Sequence, residues 1–109
     1  MPRMPSDFIV GRQGDSLLGK VLDRVFAIRS SLGRVRVKTE EVAWIHFANG
    51  RDVQKDEVWL KTGDRLSGSV EQGRVRFRTD GGDILEVPRE AIHSIVVGGS
   101  FSRRARSLR

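Results

Sequence analysis

The residues through which this chain could move protons are two histidines, His46 and His93, and fourteen acidic side chains. His46 lies between Ile45 and Phe47, and His93 between Ile92 and Ser94, both inside apolar stretches that read as strands. The two do not align when the halves of the sequence are superimposed, so they read as single structural histidines and not as a duplicated site. Asp80 and Asp83 flank Gly81-Gly82, where Asp and Gly suit a turn for backbone reasons. There is no cysteine, hence no thiolate nucleophile, disulfide or thiolate metal site. No nucleophile elbow, zinc-protease helix or phosphate loop occurs. The expectation is a protein that is not an enzyme, with no catalytic residue, no metal ligand, no cofactor and no evident small-molecule substrate.

Charge points elsewhere. Arg34, Arg36 and Lys38 alternate with Val35 and Val37, and Arg74, Arg76 and Arg78 alternate with Val75 and Phe77. Side chains at i, i+2 and i+4 of a strand project from one face. Each stripe would space its charges about 6.6–7 Å apart, near the phosphate spacing of an extended single strand. Acids close in sequence, among them Asp23, Glu71, Asp83 and Glu86, could pair with these bases across strands instead. The net charge is +6, and Arg103, Arg104, Arg106 and Arg109 account for four of it, leaving +2 for residues 1–100. Residues 99–109 thus read as a basic disordered tail, of a kind that contacts nucleic acid or serves solubility alone. Arg89 joins the candidate nucleic-acid residues Arg34, Arg36, Lys38, Arg74, Arg76, Arg78, Arg103, Arg104 and Arg106. Trp44 and Trp59 are candidate protein-contact residues.

The elements that must position these groups are short strands, made twice. Gly14-Asp15-x-Leu17-x-Gly19-x-Val21 recurs as Gly63-Asp64-x-Leu66-x-Gly68-x-Val70, 49 residues on. Glu40, Val42 and Ile45 recur as Glu90, Ile92 and Ile95 at a spacing of 50. A glycine inside a strand marks a bend or a close backbone approach, and small barrels need such a bend to close. The reading is a flexible arm (1–6), a first barrel repeat (7–48), a polar linker (49–57), a second repeat (58–98) and the tail. Inward candidates are Leu17, Val21, Phe26, Ile28, Val35, Val37 and Ile45, then Leu66, Val70, Val75, Phe77, Ile84, Ile92 and Ile95. Trp44 and Trp59 have no counterpart in the other copy, which marks them as places where the copies meet each other or a partner. Nothing approaches the length of a membrane span, and no apolar run reads as a signal peptide. The expectation is a cytoplasmic protein with no membrane partner.

Leu60-x-x-Gly63-x-x-Leu66-x-Gly68-x-Val70, followed by Pro88-Arg89-Glu90-Ala91-Ile92-His93-Ser94-Ile95-Val96-Val97, resembles the Sm-like (LSm/Hfq-type) family over residues 57–98, and more weakly over 8–48. The resemblance implies an all-β fold, two tandem five-stranded and strongly bent Sm-like or SH3-like barrels. It also implies homo-oligomers built by edge-strand pairing, with single-stranded RNA as ligand. The family's RNA pocket does not carry over. Where RNA-binding members offer tyrosine, lysine and histidine, this chain has Pro88, Arg89 and Glu90, and it contains no tyrosine. Two functional expectations follow. One is a non-catalytic binding or assembly module that takes RNA or single-stranded DNA on its basic strand faces and tail. The other is a structural or protein-interaction domain that assembles through strand edges without nucleic acid.

Overall fold

The computed structural model describes residues 6–49, 51 and 54–98. The first repeat supplies β1 (Asp7–Gly11), β2 (Ser16–Val21), β3 (Val25–Ser30), β4 (Gly33–Lys38) and β5 (Val42–His46), with one 3₁₀ turn, Thr39–Glu41, before β5. The second supplies β6 (Asp56–Leu60), β7 (Arg65–Val70), β8 (Arg74–Thr79), β9 (Ile84–Pro88) and β10 (Ile92–Val96), again with a 3₁₀ turn, Arg89–Ala91, before the last strand. The polar connection is shorter than the sequence suggests, because β6 already begins at Asp56. The arm over residues 1–5 and the tail over residues 99–109 lie outside the described residues.

The protein is all-β, and every strand pairing is antiparallel. The ten strands form one curled sheet in the order β4-β3-β7-β6-β5-β10-β1-β2-β8-β9. Each half of that order draws on both repeats. The hairpin β1–β2 continues into β8 and β9, and the hairpin β6–β7 continues into β3 and β4. The expected arrangement, in which each repeat keeps its five strands together, is therefore not the strand order seen. The repeats exchange their first hairpins, and β5 and β10 join the two halves at Ile45↔Ile95.

Backbone contacts follow the duplication closely. The Leu22 N–H donates to the Arg76 carbonyl at 2.8 Å, and 49 residues on the Glu71 N–H donates to the Ala27 carbonyl at 2.8 Å. Where the chain crosses, Asp23 Oδ2 accepts from the Arg76 N–H at 3.0 Å and Gln72 Oε1 accepts from the Ala27 N–H at 3.4 Å. Gly19 and Gly68 sit at the exchanged pairings, opposite Thr79 and Ser30. A Cβ on Gly19 would stand 2.0 Å from the Arg78 carbonyl oxygen, and one on Gly68 2.1 Å from that of Arg29. The glycines that suggest a bend thus serve a close backbone approach between repeats.

One apolar core runs through both halves, with Phe26, Ile28, Ile45, Val58, Phe77, Ile92 and Ile95 fully buried. Of the inward candidates, Val21, Phe26, Ile28, Val37, Ile45, Val70, Val75, Phe77, Ile92 and Ile95 are buried, and Leu17, Val35 and Leu66 pack against the cluster. Ile84 is a correction. It pairs with Arg78 on the solvent side and is 59% exposed, because the alternation of β9 points it outward.

Two aspartates are buried, Asp7 at 4% exposure and Asp56 at 2%. They open equivalent strands, 49 residues apart, and hold equivalent backbone. Asp7 accepts from the Val21 N–H at 2.8 Å and the Gly98 N–H at 2.9 Å. Asp56 accepts from the Val70 and Ala48 N–H groups, both at 2.7 Å. A buried carboxylate is costly unless hydrogen-bonded, and each one ties its own hairpin to the segment that follows the last strand of the other repeat.

Candidate binding face

The outer face of the sheet is set by alternation. Val58 and Ile45 point into the core, so Trp59 and Trp44 point away from it. The register places them opposite each other, and their rings stack at 5.6 Å between centroids with an interplanar angle of 9°. One ring comes from each repeat, so these aromatics are a place where the copies meet. The row continues on both sides. Arg65 lies over the Trp59 ring at 5.3 Å, His46 is 6.1 Å from Trp44, and His93 is 4.7 Å from His46. Sequence reasoning missed this convergence of histidines, because it rests on the pairing of β5 with β10 across the seam between the halves. No group of three or more potential metal ligands occurs among the described residues.

The basic stripes lie on solvent-facing positions on either side of this row in the strand order. Arg34, Arg36 and Lys38 are exposed on β4, and Arg74, Arg76 and Arg78 are exposed on β8. Cross-strand neutralisation is partial. Arg34 pairs with Glu71 at 2.9 Å and Arg74 with Glu86 at 3.3 Å. Arg36, Lys38, Arg76 and Arg78 have no ion pair among the described residues. Lys20 stands opposite Arg78 and extends that stripe onto β2; it was not among the sequence candidates.

Arg89 belongs elsewhere. Its Nη2 donates to both carboxylate oxygens of Asp56, at 2.8 and 2.6 Å, and Nη1 donates to the Val70 carbonyl. Its guanidinium also lies 5.2 Å from the Phe47 ring centroid. This arginine is a structural counter-ion and is spent inside the fold. Arg103, Arg104 and Arg106 lie outside the described residues. Beside the aromatic row, Leu18 is 52% exposed and pairs with half-buried Phe8, which in turn pairs with Val96. No protein-family model, curated protein or solved structure matches the chain. No helix is long and apolar enough to cross a membrane.

Proposed function

We propose that the chain is a non-catalytic binding and assembly module, in which each mixed group of five strands acts as a small Sm-like or SH3-like barrel and the outer face takes single-stranded RNA or DNA. The observation that carries this reading is the half-buried Trp44–Trp59 stack on the outer side of the sheet, with arginines that make no ion pair among the described residues on both sides of it in the strand order. Aromatic faces stack on any base, and cations in a groove or stripe follow the backbone, so the combination suits sequence-tolerant binding of single strands. Strands β4 and β9 end the sheet, and pairing of such edges between copies would build an oligomer.

The test uses the two tryptophans, the only ones in the chain. Titration with single-stranded oligonucleotides at rising salt should quench their emission, with an affinity that falls linearly in log–log form. Absence of binding at low salt would overturn the reading.

A second reading rests on Leu18 and its neighbours. An exposed leucine beside Phe8, Val96 and the tryptophans is the apolar centre of a contact between copies or with another protein. Sedimentation of the unliganded chain tests it: a monomer at all concentrations removes self-association.

A further inference from the structure

The duplicated aspartate cradles differ in one respect. At Asp56 the Arg89 guanidinium completes the carboxylate, bounded by Phe47. In the first repeat Thr39 occupies the place of Arg89. Its N–H donates to the Arg24 carbonyl at 2.9 Å, as that of Arg89 donates to the Gly73 carbonyl at 3.0 Å. The Thr39 hydroxyl turns away to the Asp23 carbonyl at 2.6 Å. Val97 occupies the place of Phe47: the Val97 N–H bonds the Ala43 carbonyl and the Phe47 N–H bonds the His93 carbonyl, each at 3.0 Å. These two smaller residues, with Asp7 and Val21, line part of an open cleft of about 860 Å³.

Asp7 therefore borders a cleft on the side where Arg89 stands beside Asp56. Its carboxylate takes two backbone N–H groups and no cation among the described residues. An ionised carboxylate offers about four acceptor positions, and the sister site shows that a guanidinium occupies the remainder. The bases Lys20, Arg24, Lys38, Lys61 and Arg78 also line the cleft and outnumber the acids Asp23 and Glu40 beside them. They would repel a bare cation but would hold an anionic group carried beside it. A ligand with a guanidinium at one end and a carboxylate at the other meets both demands.

We infer that the Asp7 cleft is a receptor for an arginine carrying a free carboxylate, either the free amino acid or a peptide's C-terminal arginine, with its guanidinium on Asp7 and its carboxylate among the basic side chains. This site is separate from the proposed nucleic-acid face in its deepest residues and does not depend on that reading. Arg103, Arg104, Arg106 and Arg109 follow Gly98, whose N–H Asp7 holds, so a guanidinium of the same chain is the other source the test must separate.

Calorimetric titration of the full chain with L-arginine, agmatine and citrulline reads the site directly. L-arginine should bind. Agmatine, lacking the carboxylate, should bind at least about tenfold more weakly, the scale of one charge-assisted contact. Citrulline, lacking the charge, should not bind. Asp7→Asn should abolish binding. Thr39→Arg should also abolish it while raising the melting temperature, because it supplies the missing guanidinium in place; this variant keeps the test decisive if Asp7→Asn does not fold. In a full-length variant with Arg103, Arg104, Arg106 and Arg109 changed to Ser, higher L-arginine affinity identifies those arginines as the resident occupant, and unchanged affinity identifies an external one. No L-arginine binding to either form, equal binding of citrulline, or undiminished binding to Thr39→Arg overturns the proposal. Equal binding of agmatine overturns the carboxylate requirement.

Discussion

Gly68 and Arg29 belong to different repeats, yet a single Cβ on Gly68 would stand 2.1 Å from the Arg29 carbonyl oxygen. The two backbones meet at this point because β7 pairs with β3 and not with β8. Gly19 makes the same approach to Arg78 in the other half of the sheet. Replacing either glycine by alanine forces the exchanged strands apart. Gly68→Ala and Gly19→Ala should each destabilise the fold by about 2 kcal/mol or more, at the upper end of ordinary point substitutions. Ser69→Ala, one residue away and exposed, should change stability by less than about 0.5 kcal/mol. Urea unfolding of the three variants makes the comparison.

Breaking the buried ion pair has an unequal cost from its two ends. Asp56→Ala strands the Arg89 guanidinium and frees two backbone N–H groups, so a loss of about 3–5 kcal/mol is expected. Arg89→Thr instead recreates the arrangement at Asp7, which the fold already tolerates. It should cost clearly less, and the order of the two midpoints in denaturant checks this.

The exchange also predicts how the repeats behave when separated. Residues 1–49 and 50–109 made as two polypeptides each lack the strands that complete their half of the sheet. Each alone should give little cooperative unfolding as a monomer, and the equimolar mixture should recover a cooperative transition that depends on concentration. Circular dichroism melts of the separate and mixed pieces decide it.

For the proposed nucleic-acid face, the ion pairs rank the arginines. Arg34 and Arg74 are already partly neutralised by Glu71 and Glu86, whereas Arg36, Arg76 and Arg78 are not. Changing Arg76 to Ser should reduce the salt slope of single-strand binding by roughly 0.7, the value of one phosphate contact. Changing Arg74 should reduce it less. Trp44→Ala should weaken binding about evenly across base compositions, by about 1–3 kcal/mol, with little change in the slope.

Much of this architecture could be read from the residues. The alternation in Arg74–Arg78 marks β8, Pro88 ends β9, and the Gly-Asp-x-Leu-x-Gly-x-Val pair announces the duplication. What could not be read is which copy of a strand each hairpin pairs with. β3 and β8 carry the same inward pattern, so β2 fits either with its apolar residues facing the core, and register arguments cannot separate them. The choice falls to the three-residue connections around Asp23 and Gln72, whose side chains hold the other repeat's backbone. The His46–His93 approach was invisible because it depends on the β5–β10 seam, and Arg89 looked like a surface base when it is a partly buried counter-ion of Asp56. The Trp44–Trp59 pair was accessible to sequence because neither residue has a partner in the duplication.

β10 is the last described strand of the chain, yet it lies mid-sheet between β1 and β5. During synthesis, then, neither side can be sealed until Val96 has left the ribosome. A polypeptide stopped before Ile92 would present two unzipped seams lined by Ile9 and Ile45. Sequence-distant pairings of this kind slow folding, and they make closure of the whole sheet wait on β10.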